Sequence, residues 1–115
     1  IILSVDRYKE LSGDLSLHDR ESMFKRIAII LKESITDIDK AARFSEREFA
    51  LLLLEKNKKQ AQNIADVIKE RIEYFFKEES DKHKRLTISV GVAENPIDGV
   101  TGSDLINKAM EALIK

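Results

Sequence analysis

Ile38-Asp39-Lys40-Ala41-Ala42-Arg43-Phe44-Ser45-Glu46-Arg47-Glu48-Phe49-Ala50-Leu51-Leu52-Leu53-Leu54 is the stretch on which the fold turns. From Ile38 to Phe44 the pattern is loose, Ser45-Glu46-Arg47 is a polar break, and Glu48 to Leu54 is apolar on both faces. Two extended runs joined by so short a break predict a β-hairpin, although Gly and Asn, the usual turn residues, are missing from it. A strand covered on both faces loses its apolar/polar alternation, so the second run is expected at the centre of a sheet. Phe49 to Leu54 is also far too short an apolar run to span a bilayer.

Upstream of the hairpin, Phe24, Ile27, Ala28, Leu31 and Ile35 recur at helical spacing and predict one buried helix face. Residues 7–19 are polar, with a turn signal at Ser12-Gly13-Asp14, and Ile1 to Val5 reads as a short buried strand ending at Asp6. Downstream, Asn57 with Gln60 resembles a capping box. It opens a long stripe of Ala61, Ile64, Ala65, Ile68, Ile72, Phe75 and Phe76, with Lys and Glu on the opposite side. Leu86, Ile88, Val90 and Val92 then alternate with Thr87, Ser89 and Gly91, a strand with one face of small residues. Pro96 and Gly99 punctuate a loop, and Thr101 with Asp104 starts a last helix bearing Leu105, Ala109, Ala112 and Leu113. The order β-α-β-β-α-β-α predicts an α+β fold, a ferredoxin-like core whose mostly antiparallel sheet carries packed helices. That core hosts many functions and selects none by itself.

Composition narrows the classes. The chain has 115 residues, 43% of them apolar and 36% charged, which suits one folded domain over 1–115. Twenty basic residues against 21 acidic leave a net charge of −1, so neither nucleic acid nor an anionic membrane surface is an expected partner. With no cysteine, disulfides, thiolate chemistry and cysteine-ligated zinc are excluded. The chain opens on Ile1-Ile2-Leu3, inside a predicted strand and without a methionine, and is expected to be part of a longer protein.

Ala42-Arg43-Phe44-Ser45-Glu46-Arg47-Glu48-Phe49 resembles the signature hairpin of GGDEF (diguanylate cyclase) domains, where an Arg and one variable residue precede Gly-Gly-Asp/Glu-Glu-Phe. Val5-Asp6-Arg7-Tyr8-Lys9 stands where that family ends a strand on Asp-x-Asp-x-Phe-Lys. Leu86-Thr87-Ile88-Ser89-Val90-Gly91-Val92-Ala93 is similar to its late strand, and Leu105 to Leu113 to its final helix. The resemblance covers the whole chain. It implies a palm-type core in which two subunits each present one GTP, and metal-bound carboxylates assist their condensation to cyclic di-GMP.

Carried over residue by residue, that machinery is depleted. The resemblance puts the former metal-ligand positions at Ser4, Val5 and Arg47, and the two carboxylate positions are a hydroxyl and a guanidinium. Mg²⁺ prefers carboxylate oxygens, and a fixed positive charge repels it. The paired signature glycines are Ser45 and Glu46, where a β-carbon costs about 1–2 kcal/mol if φ is positive. The guanine-reading positions are Ser12 and Glu21; Lys9, a phosphate contact, and Glu48, the signature's fourth residue, match the family. The inhibitory Arg-x-x-Asp reads Thr36-Asp37-Ile38-Asp39, and Met110 and Ile114 replace the usual Asp and Tyr of the last helix.

Two meanings compete at Arg47. Its planar fork is suited to hold a phosphate beside Lys9, but a charged turn residue is ordinarily just solvated. Glu21 and Glu48 read as surface acids, Phe75-Phe76 as core, and Ser89 as no nucleophile. His18 and His83 lack companions at ligand spacing, so no metal site is assigned. The expected function is a catalytically inactive GGDEF-type regulatory or interaction module of bacterial signalling, with no catalytic residue, metal or cofactor. Its expected partners are neighbouring domains of its parent protein or a second copy. Metal-independent nucleotide binding through Lys9, Glu21 and Arg47 is the alternative, and an active cyclase stands last. The resemblance implies a cytoplasmic domain, compatible with a membrane-anchored parent.

Overall fold

The computed structural model describes residues 1–77 and 85–114, together with the side chains of those residues up to Leu113. His83 lies outside the described residues.

Strand β1 (Ile2–Val5) leads through Arg7 into a short helix α1 (Tyr8–Asp14), followed by α2 (Leu17–Glu33). The hairpin is β2 (Lys40–Arg43) and β3 (Glu48–Leu52); α3 (Lys58–Lys77), β4 (Ile88–Gly91) and α4 (Gly102–Ile114) complete the order. All pairings are antiparallel, in the order β2-β3-β1-β4. This is the ferredoxin-like α+β sheet expected from the sequence, with the hairpin at one side and β3 and β1 in the middle.

One element departs from the expected order. Residues 8–14 form a helix where a turn was read: Asp6 and Arg7 carry the chain from strand to helix, with Arg7 in a left-handed conformation (φ 51). Tyr8 is then buried with its ring 5.8 Å from that of Phe24. Seven residues are too few to show a periodic stripe, so the element is invisible to pattern reading.

Leu3, Val5, Phe49, Leu51 and Ile88 form the inner sheet face, on which Phe24, Ile27 and Leu31 of α2 and Ile68, Ile72 and Phe76 of α3 pack. The buried face of α2 is rotated from the expected one: Met23 and Ile30 are buried and Ala28 is exposed. On α3 the adjacent phenylalanines separate, Phe76 at 5% exposure and Phe75 at 49%, since neighbours on a helix point about 100° apart. The reciprocal capping box forms: the Asn57 amide donates to Gln60 Oε1 (2.9 Å) and the Gln60 amide to Asn57 Oδ1 (2.8 Å).

The other sheet face is covered by α4 only over β1 and β4. Gly91 makes this possible, because a β-carbon there would lie 1.9 Å from the Ala109 carbonyl oxygen. Over β3 the face is open, with Leu52 58% exposed. The expectation that residues 48–54 are covered on both sides therefore fails; their apolar outer residues line a groove instead.

Candidate functional site

The residues singled out at the strand end and the signature converge where β1 meets the hairpin tip. Ser4 pairs with Glu48, and the Val5 amide donates to the Arg47 carbonyl at 2.9 Å. Ser4, on β1, and Arg47, in the hairpin turn just before β3, therefore lie at the same end of the sheet. The polar groups gathered there include the hydroxyls of Ser4, Ser45 and Ser89, the guanidinium groups of Arg43 and Arg47, and the carboxylates of Asp6, Glu46 and Glu48.

The tip braces itself. The Phe44 and Ser45 amides both donate to the Glu48 carbonyl (2.8 and 3.2 Å), closing the turn. Arg43 Nε donates to the Ser45 carbonyl at 3.1 Å and its Nη2 to the Glu46 carbonyl. The same guanidinium lies 3.9 Å from the centre of the Phe24 ring, a cation–π contact that ties the tip to α2. Among the described residues only Arg7 and Glu55 combine a side chain with positive φ. Ser45 and Glu46 thus carry no β-carbon strain, which corrects the penalty allowed for above.

Glu48 is another correction. It is 8% exposed, not a surface acid, and accepts from Ser45 Oγ at 2.7 Å. Arg47 and Glu46 are exposed beside it. Lys9, on α1, and Glu21, on α2, are also exposed, and Ser12 Oγ donates to the Lys9 carbonyl at 3.4 Å. Among the described residues, no hydrogen bond or ion pair joins Lys9, Ser12 or Glu21 to the tip.

Thr36 and Asp39 lie at the far end of the hairpin, where they build a buried anchor. Asp39 (5% exposed) accepts from the Thr36 amide and hydroxyl, from the Leu54 amide at 2.9 Å and from Lys56 Nζ at 3.1 Å. Burial alone would push its carboxyl up, but these donors outweigh burial and hold it well below the usual carboxylate range.

Sequence reasoning missed the brace at the end of β1. Asp6 accepts from Thr87 Oγ1 (2.7 Å) and Ser89 Oγ (2.6 Å), so Ser89 orients a carboxylate across the sheet. The only available signal was the small-residue face of the 86–92 strand, which pointed to close packing and not to a partner. No group of three or more His, Cys, Asp or Glu side chains arranged to hold a metal occurs among the described residues. None of their helices is long and apolar enough to cross a membrane.

An antiparallel 4-1-3-2 sheet with this self-braced hairpin defines the fold, and the family follows from comparison. The family model for the "Diguanylate cyclase, GGDEF domain" matches residues 1–115, and the chain belongs to that family. It is 23% identical to diguanylate cyclase A of Treponema denticola over 113 residues, which is 98% of this chain and 30% of that protein. The GGDEF domain of FimX from Pseudomonas aeruginosa superposes with a TM-score of 0.85 at 23% identity, over 98% of this chain and 70% of that one. An active GGEEF domain of a diguanylate cyclase from Vibrio cholerae gives a TM-score of 0.78 at 16% identity, over 98% and 71%. The chain spans less than a third of the length of the curated relatives it matches.

Proposed function

We propose that this domain does not condense GTP and serves as a regulatory or interaction module within a larger cyclic di-GMP signalling protein. The observation that carries this reading is that the two positions where the family resemblance calls for carboxylates, Ser4 near the end of β1 and Arg47 just before β3, hold a hydroxyl and a guanidinium, and that the β1–β3 pairing brings both to one end of the sheet. Two nearby carboxylates already accept from hydroxyls, Glu48 from Ser45 and Asp6 from Thr87 and Ser89. A hydroxyl and a guanidinium do not suit Mg²⁺, a hard cation that takes carboxylate oxygens, so no step is derived through a metal. The Vibrio cholerae domain, described as active, carries Glu in the signature's third place, where this chain has Arg47. Docking against neighbouring domains of the parent protein, or against a second copy, on the cytoplasmic side, is the role that remains.

A second reading keeps a nucleotide without turnover. Lys9 and Arg47 are exposed, and neither side chain has a recorded partner among the described residues, so both are available to an anion. Calorimetric titration with GTP in Mg²⁺ and then in EDTA, with an assay for cyclic di-GMP, separates the outcomes. No heat and no product supports the module; heat that survives EDTA without product supports the receptor. Product in either buffer overturns both.

A further inference from the structure

The two edges of the sheet are treated differently. On β4 the outward backbone groups of Ile88 are occupied by α3: the Ile88 amide donates to Glu73 Oε2 (2.9 Å), and Lys69 Nζ donates to the Ile88 carbonyl (3.0 Å). Lys69 and Glu73 are themselves paired at 2.7 Å, so the two side chains stand in for a missing strand. Among the described residues the β2 edge has no such cover. The Phe44–Glu48 bond fixes the ladder phase, so Lys40 and Ala42 bond to β3 while the amides and carbonyls of Ala41 and Arg43 point outward. Among the described residues, nothing is recorded as bonding to those four groups.

We propose that the outer edge of β2 is a docking site for an extended, acidic segment of a partner protein, which joins the sheet as a fifth strand. The inference goes beyond the proposed function and does not depend on whether the hairpin tip turns over GTP. Three observations select the occupant. All four residues of β2 are exposed. The strand carries two cations and no acid: Lys40 is exposed, Arg43 keeps its charge while its Nε and Nη2 hold the Ser45 and Glu46 carbonyls, and the adjoining Asp39 is buried and paired with Lys56. Lys40 and Ala42 also border an apolar groove of about 780 Å³, floored by Ala50 and Leu52 and walled by Leu105 and Ile106 of α4.

Read antiparallel, the partner places an acid against Arg43, an apolar residue against Ala42 above the groove, any residue against Ala41, and an acid against Lys40. Main-chain bonds to Ala41 and Arg43 supply affinity, and the flanking acids supply selectivity. A second copy of the chain fits less well. Symmetric pairing through Ala41 and Arg43 would put two arginines on diagonal positions of one face and gather four cations on a ribbon without an acid.

The test uses the 115-residue chain and the probe acetyl-Ser-Glu-Val-Thr-Glu-Ser-amide, followed by amide chemical shifts and hydrogen exchange. The probe is expected to shift and protect the Ala41 and Arg43 amides, and a probe with Lys for both Glu is expected not to. Ala41→Pro removes an outward donor without touching the β2–β3 ladder and should weaken binding about fivefold or more. Lys40→Glu, an exposed change that leaves the backbone intact, should weaken it comparably and covers the case in which the proline variant fails to fold. Unchanged Ala41 and Arg43 amides at millimolar probe, or equal binding of the two probes, would overturn the proposal. So would protection of the same amides by concentration-dependent self-association, which would make a second copy the occupant.

Discussion

Removing the Asp39 carboxylate is the most informative single perturbation of stability. In Asp39→Ala, two backbone amides, a hydroxyl and the Lys56 ammonium lose their acceptor at a site where the side chain has no exposure. Hydrogen bonds to a charged group contribute about 1.5–3 kcal/mol each but are not additive, and breaking a buried pair typically costs about 3–5 kcal/mol. Lys56 retains some solvent access, with 19% side-chain exposure, so the lower half of that range, about 3–4 kcal/mol, is expected. At roughly 3–6 °C per kcal/mol for a domain of this size, the melting temperature should fall by about 10–20 °C. The assay is urea and thermal unfolding followed by far-ultraviolet circular dichroism. The pH dependence fixes the cause. Because the folded carboxyl titrates below its unfolded value of about 3.9, its contribution is complete above about pH 5 and is lost as pH falls through the folded value. The stability gap between the native chain and Asp39→Asn should therefore be widest near neutrality and narrow steadily below about pH 4. A loss under 1 kcal/mol in Asp39→Ala at pH 7, or a gap that widens on acidification, would refute this account of the anchor.

Other outcomes follow from the same geometry. Gly91→Ala should destabilise by about 1–3 kcal/mol in urea unfolding, since α4 must retreat from its contact at the Ala109 carbonyl. Phe76→Ala should cost about 3–5 kcal/mol while Phe75→Ala, its half-exposed neighbour, stays within about 1 kcal/mol; equal costs would contradict the orientation of α3. Arg43→Lys keeps the charge but loses the fork that holds the Ser45 and Glu46 carbonyls, and hydrogen exchange at residues 44–47 should accelerate. Ser4→Asp combined with Arg47→Glu should introduce Mg²⁺-dependent heat on titration with GTP; the same heat in the native chain would count against the proposed loss of the metal site.

Legibility in the sequence tracks how local each determinant is. The capping box at Asn57 and Gln60, the alternation from Leu86 to Val92 and the hairpin around Ser45 are set by neighbours a few residues apart, and each appears where it was expected. Helix α1 depends on one backbone conformation at Arg7 and one aromatic contact to Phe24, neither of which leaves a periodic trace. Glu48 looked like a surface acid because type alone suggests exposure; its burial comes from β1 alongside and the turn folding back over it. The family resemblance located Ser4 and Arg47, and strand pairing brought both to one end of the sheet. Arg43 matched the motif, but its stacking on Phe24 needed the third dimension.

The Lys69–Glu73 pair over Ile88 also limits stoichiometry. A sheet grows into a fibre only if each unit offers one edge to accept and another to donate. Here the outward groups of Ile88 on the β4 side are occupied by side chains of the same chain, so among the described residues β2 is the more open edge to an arriving strand. Strand addition at β2 is therefore expected to end after one unit and to favour a one-to-one complex over a polymer.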